Sequence, residues 1–278
     1  MTSLLYILNV ICSSGQSALG KQYAKKGGTA LPFNLNKTIA GFVLFALWGI
    51  LQGFTFHLPT VWFGIAYGVS LCISMHTGFK ALAAGPMALT SIIASLSLLI
   101  PFFFGVFLWN ESLTLFGVCG ILLLLISIVL INCKKVDKIS YKWLLYALAT
   151  LLTNGICSVI QKYHQLQFPK LYHTEFMVFA LLSTLIILSI TIGIDNTGTN
   201  FIKFSFLGII SCVLNCLSNY IVLYLSATEN ASVLFPIVSI ANITTVWLIG
   251  IIFFKEKLTI LQTIGLLLGV ASIVLLKI

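Results

Sequence analysis

The sequence predicts an all-α membrane protein of ten transmembrane helices, arranged as two inverted five-helix repeats. Three observations carry that reading. Hydrophobic residues make up 59% of the chain and charged residues 8%, against about 25% charged in an ordinary soluble domain, and a soluble fold cannot hide that much apolar surface. The apolar runs repeatedly approach or exceed the roughly 20 residues that cross a bilayer. The chain also repeats its own pattern at about half its length.

Taken in order, the apolar segments fall at approximately 3–20, 38–56, 60–79, 86–108, 113–133, 143–161, 173–194, 204–226, 231–253 and 258–276. The first has neither a positive n-region nor a small-residue cleavage site, so a retained helix is expected rather than a leader. The connections are short and carry Lys, Pro, Gly and Asn; the longest lie near 21–37, 134–142 and 195–203. The segments are continuously apolar rather than alternating, which argues against a β-barrel. Trp62, Trp109 and Trp143 sit near segment ends, as interfacial aromatic residues do. Pro101 and Pro236 are expected inside the fourth and ninth segments, where each frees a backbone carbonyl for a ligand or simply kinks the helix.

All 15 basic residues are lysines, against 6 acidic ones. Most sit at the ends of apolar runs, where long side chains reach the interface. That placement offers no basic groove for nucleic acid; the lipid bilayer is the expected surface partner. The seven cysteines lie in or beside apolar runs and read as packing residues, not a disulfide framework. Cys212 and Cys216 share a helix face, but two thiols without a His or carboxylate make a poor metal site.

The repeat has a definite offset. Glu111-Ser112-Leu113-Thr114 answers Glu256-Lys257-Leu258-Thr259, and Ser127-Ile128-Val129-Leu130 answers Ser272-Ile273-Val274-Leu275, both at 145 residues. Ser17 and Lys21 answer Ser158 and Lys162 at 141. Repeats over 1–137 and 138–278 would then hold five helices each. An odd number inverts the second repeat in the membrane, an arrangement that places a substrate site near the midplane between the halves.

With Glu111 and Glu256 each followed by a glycine-bearing segment (Gly117 and Gly120; Gly265 and Gly269), with Lys80-Ala81-Leu82 and Pro86 between the third and fourth segments, and with a Lys ending the first, the chain resembles the drug/metabolite transporter superfamily, in its EamA-like ten-helix branch. The resemblance implies alternating access around a central cavity, without a bound cofactor. The chain departs from the small multidrug resistance proteins, which look like single halves of this fold and in which a membrane-embedded Glu lies eight residues before the Lys that ends the first helix. Ser13 and Asn154 occupy those positions here, and neither can carry the exchanged proton.

Polar residues within spanning segments point to a cavity or to interhelical hydrogen bonds. The eighth segment carries Ser211, Asn215, Ser218 and Asn219; the third carries Ser70, Ser74, His76 and Thr77. At the same offset Ser70 answers Asn215, Ser74 answers Asn219, and Ser97 answers Asn242, with Ser239 one turn before it. These residues, with Tyr220, Ser13 and Asn154, are the candidate substrate contacts. His76 is the only histidine well inside an expected segment, and a proton relay, a substrate contact and a neutral ring bonded to a nearby Ser all remain open for it. Glu111 and Glu256 precede Thr114 and Thr259, the expected N-caps of the fifth and tenth segments, where negative charge suits the helix dipole. Glu175 and His173 suit either an entrance site or an interfacial anchor, and Tyr220, Tyr224 and Trp247 an aromatic cage for an ammonium ligand.

Twelve lysines fall on odd-numbered connections, and only Lys162, Lys170 and Lys277 on even ones or at the C-terminus. The positive-inside rule therefore puts both termini outside, whereas the resemblance implies both inside. The expected function is secondary transport of a small metabolite across the cell membrane, with amino-acid or related export as the first choice and uptake of an organic cation such as a quaternary amine as the second. Coupling by protons or by exchange stays open, as does a monomer or homodimer. A structural or receptor role is the alternative outside transport. No nucleophile, metal cluster or paired carboxylates suggest an enzyme.

Overall fold

A computed structural model describes residues 2–25, 30–84, 90, 93–94, 96–112, 114–132, 140–195, 206–254 and 259–277. Ten α-helices lie among them: α1 Thr2–Lys25, α2 Ala30–Gln52, α3 Leu58–Ala84, α4 Leu99–Phe107, α5 Leu115–Asn132, α6 Tyr141–Gln167, α7 His173–Asp195, α8 Phe206–Ser226, α9 Ala231–Phe254 and α10 Ile260–Lys277. No strand occurs among the described residues. Five stretches are long and apolar enough to cross a bilayer: Phe33–Gln52, Leu58–Gly78, Tyr141–Gln167, His173–Thr191 and Leu207–Ser226. Leu96–Phe107, Leu115–Leu130, Ala231–Thr245 and Ile260–Leu276 are shorter apolar helices. Leu51, Ile260, Leu115 and Phe107 leave 82%, 80%, 78% and 74% of their surfaces uncovered. Apolar exposure repeated along so many helices suits lipid rather than water.

Local chemistry sets the helix ends. The Thr114 hydroxyl accepts the Gly117 N–H at 3.0 Å and so caps α5. Thr259 and Gln262 form a reciprocal capping box at α10: the Thr259 N–H donates to Gln262 Oε1 at 3.0 Å and the Gln262 N–H to the Thr259 hydroxyl at 3.3 Å. The Ser140 hydroxyl accepts the Trp143 N–H at 3.1 Å and starts α6. One sequence expectation is corrected at Pro101. A 3-10 turn, Leu96–Leu98, changes to α winding just before it, so the proline sits in the first turn of α4, where a missing N–H costs little. Pro236 does lie inside α9.

The helices pack in two compact units, Met1–Cys72 with Tyr163–Ala227, and Ile73–Lys162 with Thr228–Ile278. In the first, α1 runs along α8, and α2 packs on α7 and α8. The start of α3 meets α7 through Gly64 and Gly68. A Cβ at Gly64 would lie 2.6 Å from the Phe179 Cβ and 3.1 Å from the Ala180 nitrogen, and one at Gly68 would collide with the Ala180 carbonyl. Two glycines one turn apart thus let the α3 backbone approach α7 closely. In the second unit α5 runs along α10, and α9 packs on α4, α5 and α10.

Candidate functional site

In the first unit, residues spaced three and four apart on α8 turn one polar face toward α1 and α3. The Asn215 amide donates to Gln16 Oε1 at 2.8 Å. Asn219 donates to the Asn215 carbonyl at 2.9 Å and accepts the Tyr67 hydroxyl at 3.4 Å. Tyr67, Asn219, Asn215 and Gln16 therefore form one polar line across three helices. Beside it, Asn9 donates to both the carbonyl and the hydroxyl of Ser218 at 2.9 Å. Asn9 Oδ1 and the Ser211 hydroxyl are buried with no hydrogen-bond partner, and such atoms are costly in a low-dielectric interior. Ser13 bonds back to the Val10 carbonyl at 3.2 Å, and Ser70 is half-buried on α3. The Tyr220 ring stacks on Phe45 at 6.2 Å and lies 5.6 Å from His173.

The remaining candidates lie in the second unit. Ser74 donates to Asn154 Oδ1 at 2.6 Å, and one turn away the Thr77 and Thr150 hydroxyls are 2.9 Å apart. Ser97 falls in the 3-10 turn before α4, while Ser239 and Asn242 are half-buried on α9. His76 is exposed on the surface of α3. The Trp247 side chain and Glu256 lie outside the described residues.

Glu111 corrects a second expectation. Its carboxylate caps not α5 but α9, accepting the backbone N–H of Ala231 at 2.7 Å, that of Ser232 at 2.8 Å and the Ser232 hydroxyl at 2.7 Å. The chemistry read from the sequence was right, but a carboxylate close in sequence to one helix start had been folded onto another. Lys162 reaches the same place, 3.9 Å from Glu111 and donating to the Glu229 carbonyl at 2.5 Å.

Sequence reasoning missed a histidine cluster at one end of the first unit. The sixth apolar segment ends near 161, but α6 continues to Gln167 and carries His164 into the interior, where it is fully buried. His164 Nε2 lies 3.1 Å from the Thr60 hydroxyl, which lies 2.9 Å from His57 Nδ1; His164 Nδ1 lies 3.0 Å from the Gln165 amide nitrogen. Phe63, Phe168 and Phe176 surround the His164 ring. His173 packs between Tyr220 and Tyr224, its Nε2 buried without a partner. The available signal was the Lys162-to-Gln167 stretch itself, polar but free of Gly and Pro and so able to prolong a helix.

Among the described residues no three His, Cys, Asp or Glu side chains gather to hold a metal ion. The Cys212 and Cys216 sulfurs are 3.8 Å apart on α8. A family model described as the EamA-like transporter family matches residues 1–133. Residues 1–133 are thus similar to the EamA-like transporter family. That similarity and the apolar helices point to an integral membrane protein that transports small solutes. No curated protein matches it. Among the solved structures that match is one titled "Crystal structure of protein", with a TM-score of 0.80 at 16% identity, covering 99% of this chain and 96% of that one. Identity that low shows a shared fold alone, but the shared fold extends through the second half, beyond the family match.

Proposed function

We propose that the chain is a secondary transporter of the cell membrane that moves a small polar metabolite by alternating access, with export of an amino acid or related compound as the best assignment. One observation carries the reading: the Tyr67–Asn219–Asn215–Gln16 line and the unpartnered Asn9 and Ser211 atoms put hydrogen-bonding capacity into helices that otherwise need only apolar packing. Uptake of a quaternary amine is the weaker reading, because the Tyr220 face is already taken by Phe45 and a cation needs that face open.

The proposed mechanism uses two inverted five-helix repeats, and the pattern of helix pairing supports them. Exchanging the halves maps α1 onto α6, α2 onto α7, α3 onto α8, α4 onto α9 and α5 onto α10. The pairs α2 with α7, α4 with α9 and α5 with α10 then map onto themselves. The α1–α8 pair maps onto α6–α3, which Ser74–Asn154 and Thr77–Thr150 join. An inverted design gives two nearly equivalent arrangements of the same contacts, as alternating access requires.

The test is Asn219→Leu and Asn215→Leu, with transport across a metabolite panel measured in proteoliposomes per correctly inserted molecule and thermal stability followed in parallel. Leucine is at home in hydrocarbon, so a solute contact predicts transport falling at least about tenfold while stability changes by no more than the roughly 0.6–2 kcal/mol of an interhelical hydrogen bond. Unchanged transport in both variants would leave the line as packing.

A further inference from the structure

We infer that His164 is a proton-responsive latch, which holds the connection between α6 and α7 closed while its ring is neutral and releases it on protonation. The inference starts from Gln165. The Lys170 backbone N–H donates to Gln165 Oε1 at 3.1 Å, and because a backbone N–H can only donate, the amide orientation is fixed. The Gln165 nitrogen must then face His164 Nδ1 at 3.0 Å and the Leu171 carbonyl at 3.4 Å. An amide nitrogen is a donor, so His164 Nδ1 must be the acceptor and the ring hydrogen sits on Nε2, pointing at Thr60. The Thr60 hydroxyl can in turn donate to His57 Nδ1.

A second proton has one place to go on His164, and that is Nδ1. There it meets the Gln165 NH2 head on. Turning the amide over would relieve His164 but would aim the NH2 at the Lys170 N–H, so one of the two contacts must break. Lys170 and Tyr172 hold φ of 59° and 54°, a left-handed region unfavourable to non-glycine residues, so the connection depends on such contacts to stay in place. His57 is the path in. It is half-buried, stacks on Tyr172 at 4.2 Å with the rings 4° apart, and meets Phe168 edge-on. Among the described residues, the other titratable and charged groups at this end are His173 and Glu175 of α7, Tyr163 of α6, Tyr172 and Lys170 of the connection, and Tyr220 and Tyr224 of α8 beside His173. Glu175 is turned toward Thr55, which it accepts at 3.0 Å.

Once released, an imidazole binds its proton near pH 6.5, so closure weakens about tenfold per pH unit below that value, approaching about thirtyfold at pH 5.0. Hydrogen–deuterium exchange of the purified full chain in detergent, at pH 7.5 and 5.0 with labelling times scaled for intrinsic exchange, reads this directly. Protection over 168–176 should fall at least about tenfold at pH 5.0 while α5 and α10 keep theirs. Gln165→Glu is the deciding variant, because a carboxylate accepts from both the Lys170 N–H and a protonated Nδ1; it should stay closed at pH 5.0. His164→Gln, which keeps a donor toward Thr60 but cannot be protonated, should lose the pH response. An unresponsive wild type, acid opening that persists in Gln165→Glu, or a response removed by His57→Gln while Gln165→Glu retains it would each overturn the assignment. None of these readings requires a solute, so the latch stands or falls apart from the transport proposal.

Discussion

At Glu111 a single carboxylate meets three donors at the N-terminus of α9 with Lys162 beside it, and both side chains are almost wholly buried, at 7% and 5% exposure. A charge so placed is tolerated because the helix dipole and the lysine compensate its desolvation. Glu111→Gln turns an acceptor into a donor facing backbone N–H groups and strands a buried cation. It should destabilise the protein by about 3–5 kcal/mol, the usual cost of breaking a buried pair, as read by thermal unfolding in detergent and by membrane abundance. Adding Lys162→Met should recover part of the loss. Normal stability with abolished transport in Glu111→Gln would instead put the carboxylate in the transport mechanism. His76 shows the limit of reading one residue by its segment: it lies within the expected run yet is exposed, while His164, placed outside any run, is fully buried.

Helix pairs depend on where two backbones can come close. On α3 that point is Gly68, where an added methyl would strike the Ala180 carbonyl of α7. Gly68→Ala should therefore cost about 1–3 kcal/mol, the usual range for overpacking, although alanine is the better helix former. A neutral or stabilising result would mean that α3 and α7 are not held by close approach. At α10 the capping box rests on Thr259, and Thr259→Ala should cost about 1 kcal/mol, with a loss of hydrogen-exchange protection confined to the first turn. Spread of that loss along α10 would show the cap supporting more than a helix end.

At the scale of the whole molecule, ten spanning helices would return both termini to the same side of the membrane and put the α5–α6 connection on the opposite side. Twelve of the 15 lysines sit on odd-numbered connections, so the positive-inside rule predicts termini outside and that connection inside. Impermeant labelling of single cysteines added at each terminus and at position 140, in a cysteine-free background, checks both statements. Termini on opposite faces would eliminate the inverted five-helix design, whatever the labelling shows about which side is which.

The sequence alone determined the all-helical membrane class of the fold and its likeness to the EamA-like family over residues 1–133, because lipid demands continuous apolar runs of a set length. It also identified Thr114 and Thr259 as caps, since capping is settled within four residues of the chain. What lies across space was decided by tertiary structure. Glu111 could be read as a capping charge, but only packing shows that it caps α9. Asn215 and Asn219 could be seen to share a face, but Gln16 and Tyr67, on two other helices, give that face its partners. The histidine chain joins the connection before α3 to the end of α6 across more than a hundred residues. Periodicity reports which way a side chain points from its own helix and is silent on the neighbour it meets there.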